Sequence, residues 1–397
     1  MSFFENVAIL PEDLIFSTQA AFLKDPAPKK ANLGIGAYRD AEGNPLVFLS
    51  VRKAEAQLLE KHLYKEYLPI LGAADYISET AKLIFGADHT KLTDGSITGA
   101  QTVGGSAAIR IGGEFLSQSV TKNIYIPNLT WPNHKLLLSR AGLKVDNYPY
   151  YNFIQSKFDF GDMCEGIKKI PTSSALLLQG TSHNPTGLNP SLEQWKMLSS
   201  LMKEKHLIPF FDIAYQGFGT GIEEDVQPLQ LFLNDGHDML VSQTYCKNMG
   251  LYGERTGSLF VVTQNKKQAD ASKSHIQQLT RGMYSNPPLH GERIVTTVLQ
   301  SESLRSDWVE ELTNVRKRTN EMRRAFVTGL LSKGSNAHFE FLNLQFPTGM
   351  FAYLNLTSEQ EHRLKQQFSI YLIDGRINIA GLNWKNMDYV IDAIVSV

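Results

Sequence analysis

Cysteine is nearly absent from this chain: there are two in 397 residues, Cys164 and Cys246. That is too few for a disulfide framework or for a zinc site built from thiolates. An excess of either charge is also missing, with 39 Lys and Arg against 40 Asp and Glu. A net charge of −1 gives no electrostatic footprint for nucleic acid or for an anionic membrane. No apolar run approaches the roughly 20 residues that cross a bilayer. The opening residues Met1-Ser2-Phe3-Phe4-Glu5-Asn6 lack both a basic-then-apolar leader and an Arg-rich amphipathic stretch. The cytoplasm is therefore the expected compartment. Internal repeats, low-complexity tracts and long linkers are absent too.

What is present suits a soluble globular enzyme: 42% hydrophobic and 20% charged residues, with length enough for two domains. Residues 1 to about 31 read as an irregular apolar arm, with Phe3, Phe4, Leu10 and Pro11 near its start and Pro26 and Pro28 near its end. From about 45 to 300, short apolar runs alternate with helical patterns. The runs are Asn123 to Ile126, Ala175 to Leu178, Leu207 to Phe211, Met239 to Val241 and Leu259 to Val262; Ser191 to Lys205 is one of the helical patterns. Such alternation implies a mainly parallel sheet covered by helices. The spacing of Trp308, Leu312, Val315, Met322, Phe326 and Leu330 predicts a long helix over about 302–334, long enough to bridge two domains. A smaller α+β region follows, with strands at Phe339 to Phe346, Met350 to Leu354 and Arg376 to Ala380, a helix from about Ser358, and a terminal helix.

In parallel sheets ligands bind at the carboxyl ends of strands. Asp212 and Lys247 lie at or just past two such ends. A lysine in a turn of small and polar residues, Thr244-Tyr245-Cys246-Lys247-Asn248, with Arg255 eight residues on, suits a Schiff base to an aldehyde cofactor. Gly104-Gly105-Ser106 opens a helical stretch whose amides and dipole favour an anion. Further stretches complete the set: Asn32 to Arg39, Glu66-Tyr67-Leu68-Pro69-Ile70, His183-Asn184-Pro185-Thr186-Gly187, Asp212-Ile213-Ala214-Tyr215, Tyr284-Ser285-Asn286-Pro287-Pro288 and Arg376 to Gly381.

In this order the motifs resemble the class I aminotransferases, enzymes of pyridoxal 5'-phosphate fold type I, over nearly the whole chain. The resemblance implies a large domain with a mainly parallel seven-stranded sheet over residues 46–305 and a small C-terminal α+β domain over 306–397. Residues 1–45 would supply an N-terminal arm and part of the small domain. It also implies transfer of the amino group from L-aspartate to 2-oxoglutarate by a ping-pong mechanism, with a broad aspartate/aromatic aminotransferase as the alternative.

The same resemblance distributes roles. Lys247 would bind the cofactor aldehyde and then move the substrate proton. Asp212 would face the pyridine nitrogen, with His134 supporting it, while Tyr215 and Asn184 reach the phenolic oxygen and Trp131 stacks on the ring. Gly104, Gly105, Ser106, Thr244 and Arg255 would hold the phosphate, joined by Tyr67 from a second subunit. Arg376 and Asn184 would clamp the substrate α-carboxylate, Ile35 and Gly36 would line the opposite wall, and Arg281 would reach the side-chain carboxylate across a homodimer interface. The bond before Pro185 is expected to be cis.

Four residues depart from the family's common pattern: Gly104 and Cys246 for serines, Gln179 for a histidine and Leu129 for a proline. On the sequence, restoring serine at 104 is expected to tighten cofactor binding. A lyase or decarboxylase on the same fold, and a noncatalytic descendant, remain the rival readings.

Overall fold

A computed structural model describes residues 2–334 and 348–397. Its centre is a seven-stranded sheet built from β1 (Ile97–Val103), β2 (Asn123–Pro127), β3 (Lys144–Tyr148), β4 (Ala175–Gln179), β5 (Ile208–Ile213), β6 (Met239–Thr244) and β7 (Thr256–Val262). The strand order is β1-β7-β6-β5-β4-β2-β3. β7 runs antiparallel to both its neighbours, and every other pairing is parallel. The central strands are continuous apolar runs because helices cover both their faces. Successive side chains alternate between two cores: Leu176, Leu178, Phe211, Val241 and Phe260 pack on one side, and Ala175, Leu177, Phe210, Leu240 and Leu259 on the other.

The long helix is Glu302–Ser332, capped by the Ser301 side chain, which accepts from the Leu304 amide. At 1.5 Å per residue it is about 46 Å long. Its first half, through Leu304, Trp308 and Leu312, packs with Tyr245, Met249 and Val295. Its second half, through Met322, Phe326 and Leu330, packs with Leu33, Ile377, Val390 and Ile394. One helix thus joins two packing units. The second unit also holds Phe351–Tyr353 paired antiparallel with Arg376–Asn378, and Ala31–Asn32 paired in parallel with Ile370–Tyr371. The expected strand Phe339 to Phe346 lies outside the described residues.

The arm departs from its expected irregularity. Leu14–Lys24 is a helix, because the Asp13 carboxylate accepts from the amides of Ile15 and Phe16 and caps it, while Pro11 and Pro26 flank the segment without interrupting it. Phe3, Phe4, Ile9 and Leu10 before it are exposed.

Glu292 is buried in the helix His290–Gln300. Burial pushes its carboxyl up to about 7, against the pull of Arg293. A carboxyl raised in the folded state contributes stability fully below its unfolded value and loses it as pH rises through about 7. Wild-type Tm should therefore fall relative to E292Q between about pH 5 and pH 8, by roughly 2–4 °C for each kcal/mol involved. Thermal unfolding at several pH values checks this; parallel curves for the two proteins would exclude Glu292 as the source.

Candidate active site

The topology gathers one edge of the sheet. β1, β4, β5 and β6 all end there, and β7, running the other way, begins there: Thr256 pairs with Val103 at the end of β1. Arg255, immediately before β7, consequently stands beside the chain leaving β6 and beside the N-terminus of the helix Gly104–Ser119 that follows β1. A cavity of about 310 Å³ opens at this edge. Its lining includes Gly105, Ser106, Trp131, Asn184, Asp212, Tyr215, Thr244, Lys247, Arg255 and Arg376, with Ile35 and Gly36 on the facing wall.

At one end the contacts suit an anion. Helix amides at Gly104 and Gly105 point outward from a helix start. Arg255 donates from Nη1 to Cys246 Sγ at 3.2 Å, and Thr244 Oγ1 donates to the same sulfur at 3.1 Å. At the other end stands a buried carboxylate: Asp212 Oδ2 lies 3.0 Å from His134 Nε2. Between them, Lys247 Nζ sits 5.0 Å from the centre of the Tyr215 ring. Burial alone would lower its amine, but Tyr215, Cys246 and Asp212 outweigh burial and the net shift is upward. Tyr215 Oη accepts from Asn184 Nδ2 at 3.3 Å, and Trp131 meets the His134 ring edge-on at 5.2 Å.

Arg376 closes the wall nearest the second packing unit. It donates to Asn184 Oδ1 at 3.1 Å and to the Gly34 carbonyl at 2.6 Å, and its guanidinium lies 4.4 Å from the Phe351 ring centre. Its Nε is buried with no partner among the described residues. Such a fork, already oriented, suits a carboxylate.

Of the residues expected to touch cofactor or substrate, three do not line this cavity: Gly104, Tyr67 and Arg281. Tyr67 is 84% exposed, so on this chain its ring touches little. Arg281, near the end of the helix Lys266–Met283, is exposed and donates to Ser285 Oγ. Three lining residues went unread in the sequence: Ile15 and Phe16 on the arm helix, and Tyr252. The bond between Asn184 and Pro185 is cis, as expected.

Gly104 corrects an expectation. Its φ is +69°, a conformation that L side chains rarely adopt, and a Cβ there would lie 2.6 Å from Arg255 Nη2. Serine at 104 would be strained and would displace the arginine, so G104S is expected to weaken binding of pyridoxal phosphate by about tenfold or more, the scale of one charge-assisted contact. Fluorescence titration of the apoenzyme would measure this; tighter binding would restore the sequence-based expectation.

The residues fit a flat aldehyde cofactor that carries a phosphate at one end and a basic ring nitrogen at the other: an anion cradle, an amine and a carboxylate follow one another along a single cavity. Known proteins bear on this geometry. The family profile for aminotransferase class I and II matches residues 28–394. The chain belongs to that family. This aminotransferase is 42% identical to aspartate aminotransferase 1 of Medicago sativa, over 100% of its own length and 95% of the relative's. It is 40% identical to the aspartate aminotransferase of Escherichia coli strain K12, over 99% of its own length and 100% of the relative's. Among solved structures, the aromatic-amino-acid aminotransferase of Burkholderia pseudomallei, covalently bound to pyridoxal phosphate, superposes with a TM-score of 0.95 at 38% identity, covering 100% of this chain and 99% of that one. The aminotransferase thus has the pyridoxal-phosphate fold expected for it. Among the described residues, no helix is long and apolar enough to cross a membrane.

Proposed function

We propose that this aminotransferase takes the amino group from L-aspartate, releasing oxaloacetate, and passes it to 2-oxoglutarate, yielding L-glutamate, in two successive half-reactions. The observation that carries the proposal is the convergence of Lys247, Asp212 and Arg376 on one cavity. Pyridoxal phosphate, when bound, supplies an electron sink that makes the amino acid's Cα proton acidic. Arg255, Thr244, Ser106 and the amides at Gly104 and Gly105 hold the phosphate. Asp212, braced by His134, would keep a proton on the ring nitrogen, and Asn184 and Tyr215 would engage the phenolic oxygen. Trp131 would cover one ring face. Arg376 and Asn184 grip the substrate α-carboxylate against Ile35 and Gly36, which sets Cα in reach of Lys247. Lys247 Nζ would hold the aldehyde and, as a free amine, would take up and return the Cα proton, general base and then general acid.

Tyr67 and Arg281 serve the site of a second subunit in a homodimer, Tyr67 at the phosphate and Arg281 at the substrate's side-chain carboxylate. Their exposure on the single chain supports this, because both are free to face a partner. Residues 46–305 form the large domain, and 306–397 with part of 1–45 form the small one; the two packing units along the long helix support that division.

The test is the visible absorption spectrum of the purified protein with L-aspartate alone. A cofactor band that bleaches with aspartate and returns with 2-oxoglutarate supports the proposal; a protein that stays colourless with added pyridoxal phosphate rejects it. The likeness to the Burkholderia aromatic enzyme favours a second reading, a range that extends to aromatic amino acids. Comparing kcat/KM for aspartate and tyrosine separates the two.

A further inference from the structure

Gln179 departs from the family's usual histidine, and the structure gives it a specific set of contacts. It ends β4, is 6% exposed, and lines the cavity. Its Oε1 accepts from the Asn184 backbone N–H at 2.8 Å. Its Nε2 donates to the Asn184 carbonyl at 3.2 Å and to Thr130 Oγ1 at 3.0 Å. Thr130 Oγ1 lies 2.9 Å from His134 Nδ1, and His134 Nε2 lies 3.0 Å from Asp212 Oδ2. Five groups form one chain, from the residue beside Arg376 to the carboxylate at the far end of the cavity.

The directions along this chain follow from one fixed point. A backbone N–H only donates, so the group of Gln179 facing it must be the carbonyl oxygen. The amide's other end, an NH2, then faces Thr130, which makes the threonine oxygen an acceptor. The threonine hydroxyl still has one hydrogen to place, and among the described residues its one acceptor is His134 Nδ1. A ring nitrogen that accepts carries no hydrogen, so the neutral imidazole carries its hydrogen on Nε2, facing Asp212.

We propose that Gln179 is a positioning residue that fixes the His134 hydrogen on Nε2, relayed through the Thr130 hydroxyl, so that His134 acts on Asp212 as a constant donor. An amide can neither take up nor release a proton at working pH, so the chain ends in a group that cannot reverse its direction. A titratable histidine at 179 could reverse it. The same amide grips both backbone groups of Asn184, whose side chain touches Arg376 and Tyr215. One residue therefore orients groups at the Arg376 wall and at the Asp212 end of the cavity. The consequence for the cofactor rests on the proposed function; the tautomer does not.

The test reads His134 itself, independently of turnover. Histidine ring nitrogens are observed by NMR in the ¹⁵N-histidine-labelled holoenzyme, and the His134 signals are assigned by their disappearance in H134N. The expected wild-type pattern is an unprotonated Nδ1 and a protonated Nε2. In Q179E the carboxylate still accepts from the Asn184 N–H but offers Thr130 no donor. The threonine hydroxyl then turns to that carboxylate, and its oxygen accepts from Nδ1, so His134 should carry hydrogen on both nitrogens, with Nδ1 moving to the protonated region. A wild-type His134 protonated on Nδ1 would overturn the proposal, as would a Q179E spectrum with His134 unchanged, which would leave Gln179 a brace for Asn184 alone. Loss of amino transfer with the expected tautomers intact would count against the proposed function only.

Discussion

Lys247→Ala is expected to lower the kcat of amino transfer by at least about 10²–10⁴-fold, the range a positioned acid–base group supplies, while leaving the fold intact. The fold should survive because Lys247 sits in the cavity wall outside the apolar clusters, beside a single aromatic ring 5.0 Å away. No neighbouring amine can substitute: the other cation at that end, Arg255, is engaged with Cys246 Sγ and the Tyr252 carbonyl. Single-turnover formation of oxaloacetate, alongside thermal unfolding, checks both halves; a loss below about tenfold would remove Lys247 from its assigned role. The upward shift of its amine adds a sign. The ammonium form dominates near neutrality and cannot attack an aldehyde, so uptake of pyridoxal phosphate by the apoenzyme should quicken as pH rises.

The second large effect concerns Arg281. R281A should lower kcat/KM for aspartate by about 10²–10³-fold, the scale of a charged pair left with one partner, and leave alanine almost untouched. The decisive form of the experiment mixes subunits. In a dimer of one K247A and one R281A chain, an arginine acting across the interface leaves one site wholly wild type and the other doubly defective. An arginine acting within its own chain leaves neither site intact. Random reassortment of equal amounts should therefore recover roughly a quarter of wild-type sites, from two variants each nearly inactive. No recovery, with mixed dimers confirmed by mass, would place Arg281 in its own subunit's site or outside catalysis.

Much of this was legible because the chemistry is carried by short contiguous motifs at strand ends. Asp212, Tyr215, Lys247 and Arg255 are fixed relative to one another by β5, β6 and β7, whose apolar runs are plain in the sequence. The strand limits moved by up to three residues, as at Leu259 to Val262, which became Thr256–Val262. The arm helix escaped because its signal is a single Asp13 cap between two prolines, and the approach of Ile15 and Phe16 to the cavity depends on tertiary contact. Gly104 escaped for a different reason. Missing hydroxyls can be read from a sequence, but a φ of +69° against an arginine cannot. The contacts of Gln179, which the sequence shows only as a departure from histidine, escaped for the same reason, since its partners are 5 and 49 residues away in the chain.

The bridging helix Glu302–Ser332 separates a resident from a visitor. Within one chain, the groups assigned to the cofactor leave the sheet edge, whereas Arg376, assigned to the substrate, starts a strand of the other packing unit and reaches across to Asn184. Whatever occupies the arginine's fork is thus held by both units at once, while the cofactor's moorings belong to one. Removing the amino acid would therefore free one contact shared by the two units and leave the cofactor's own contacts within the chain untouched.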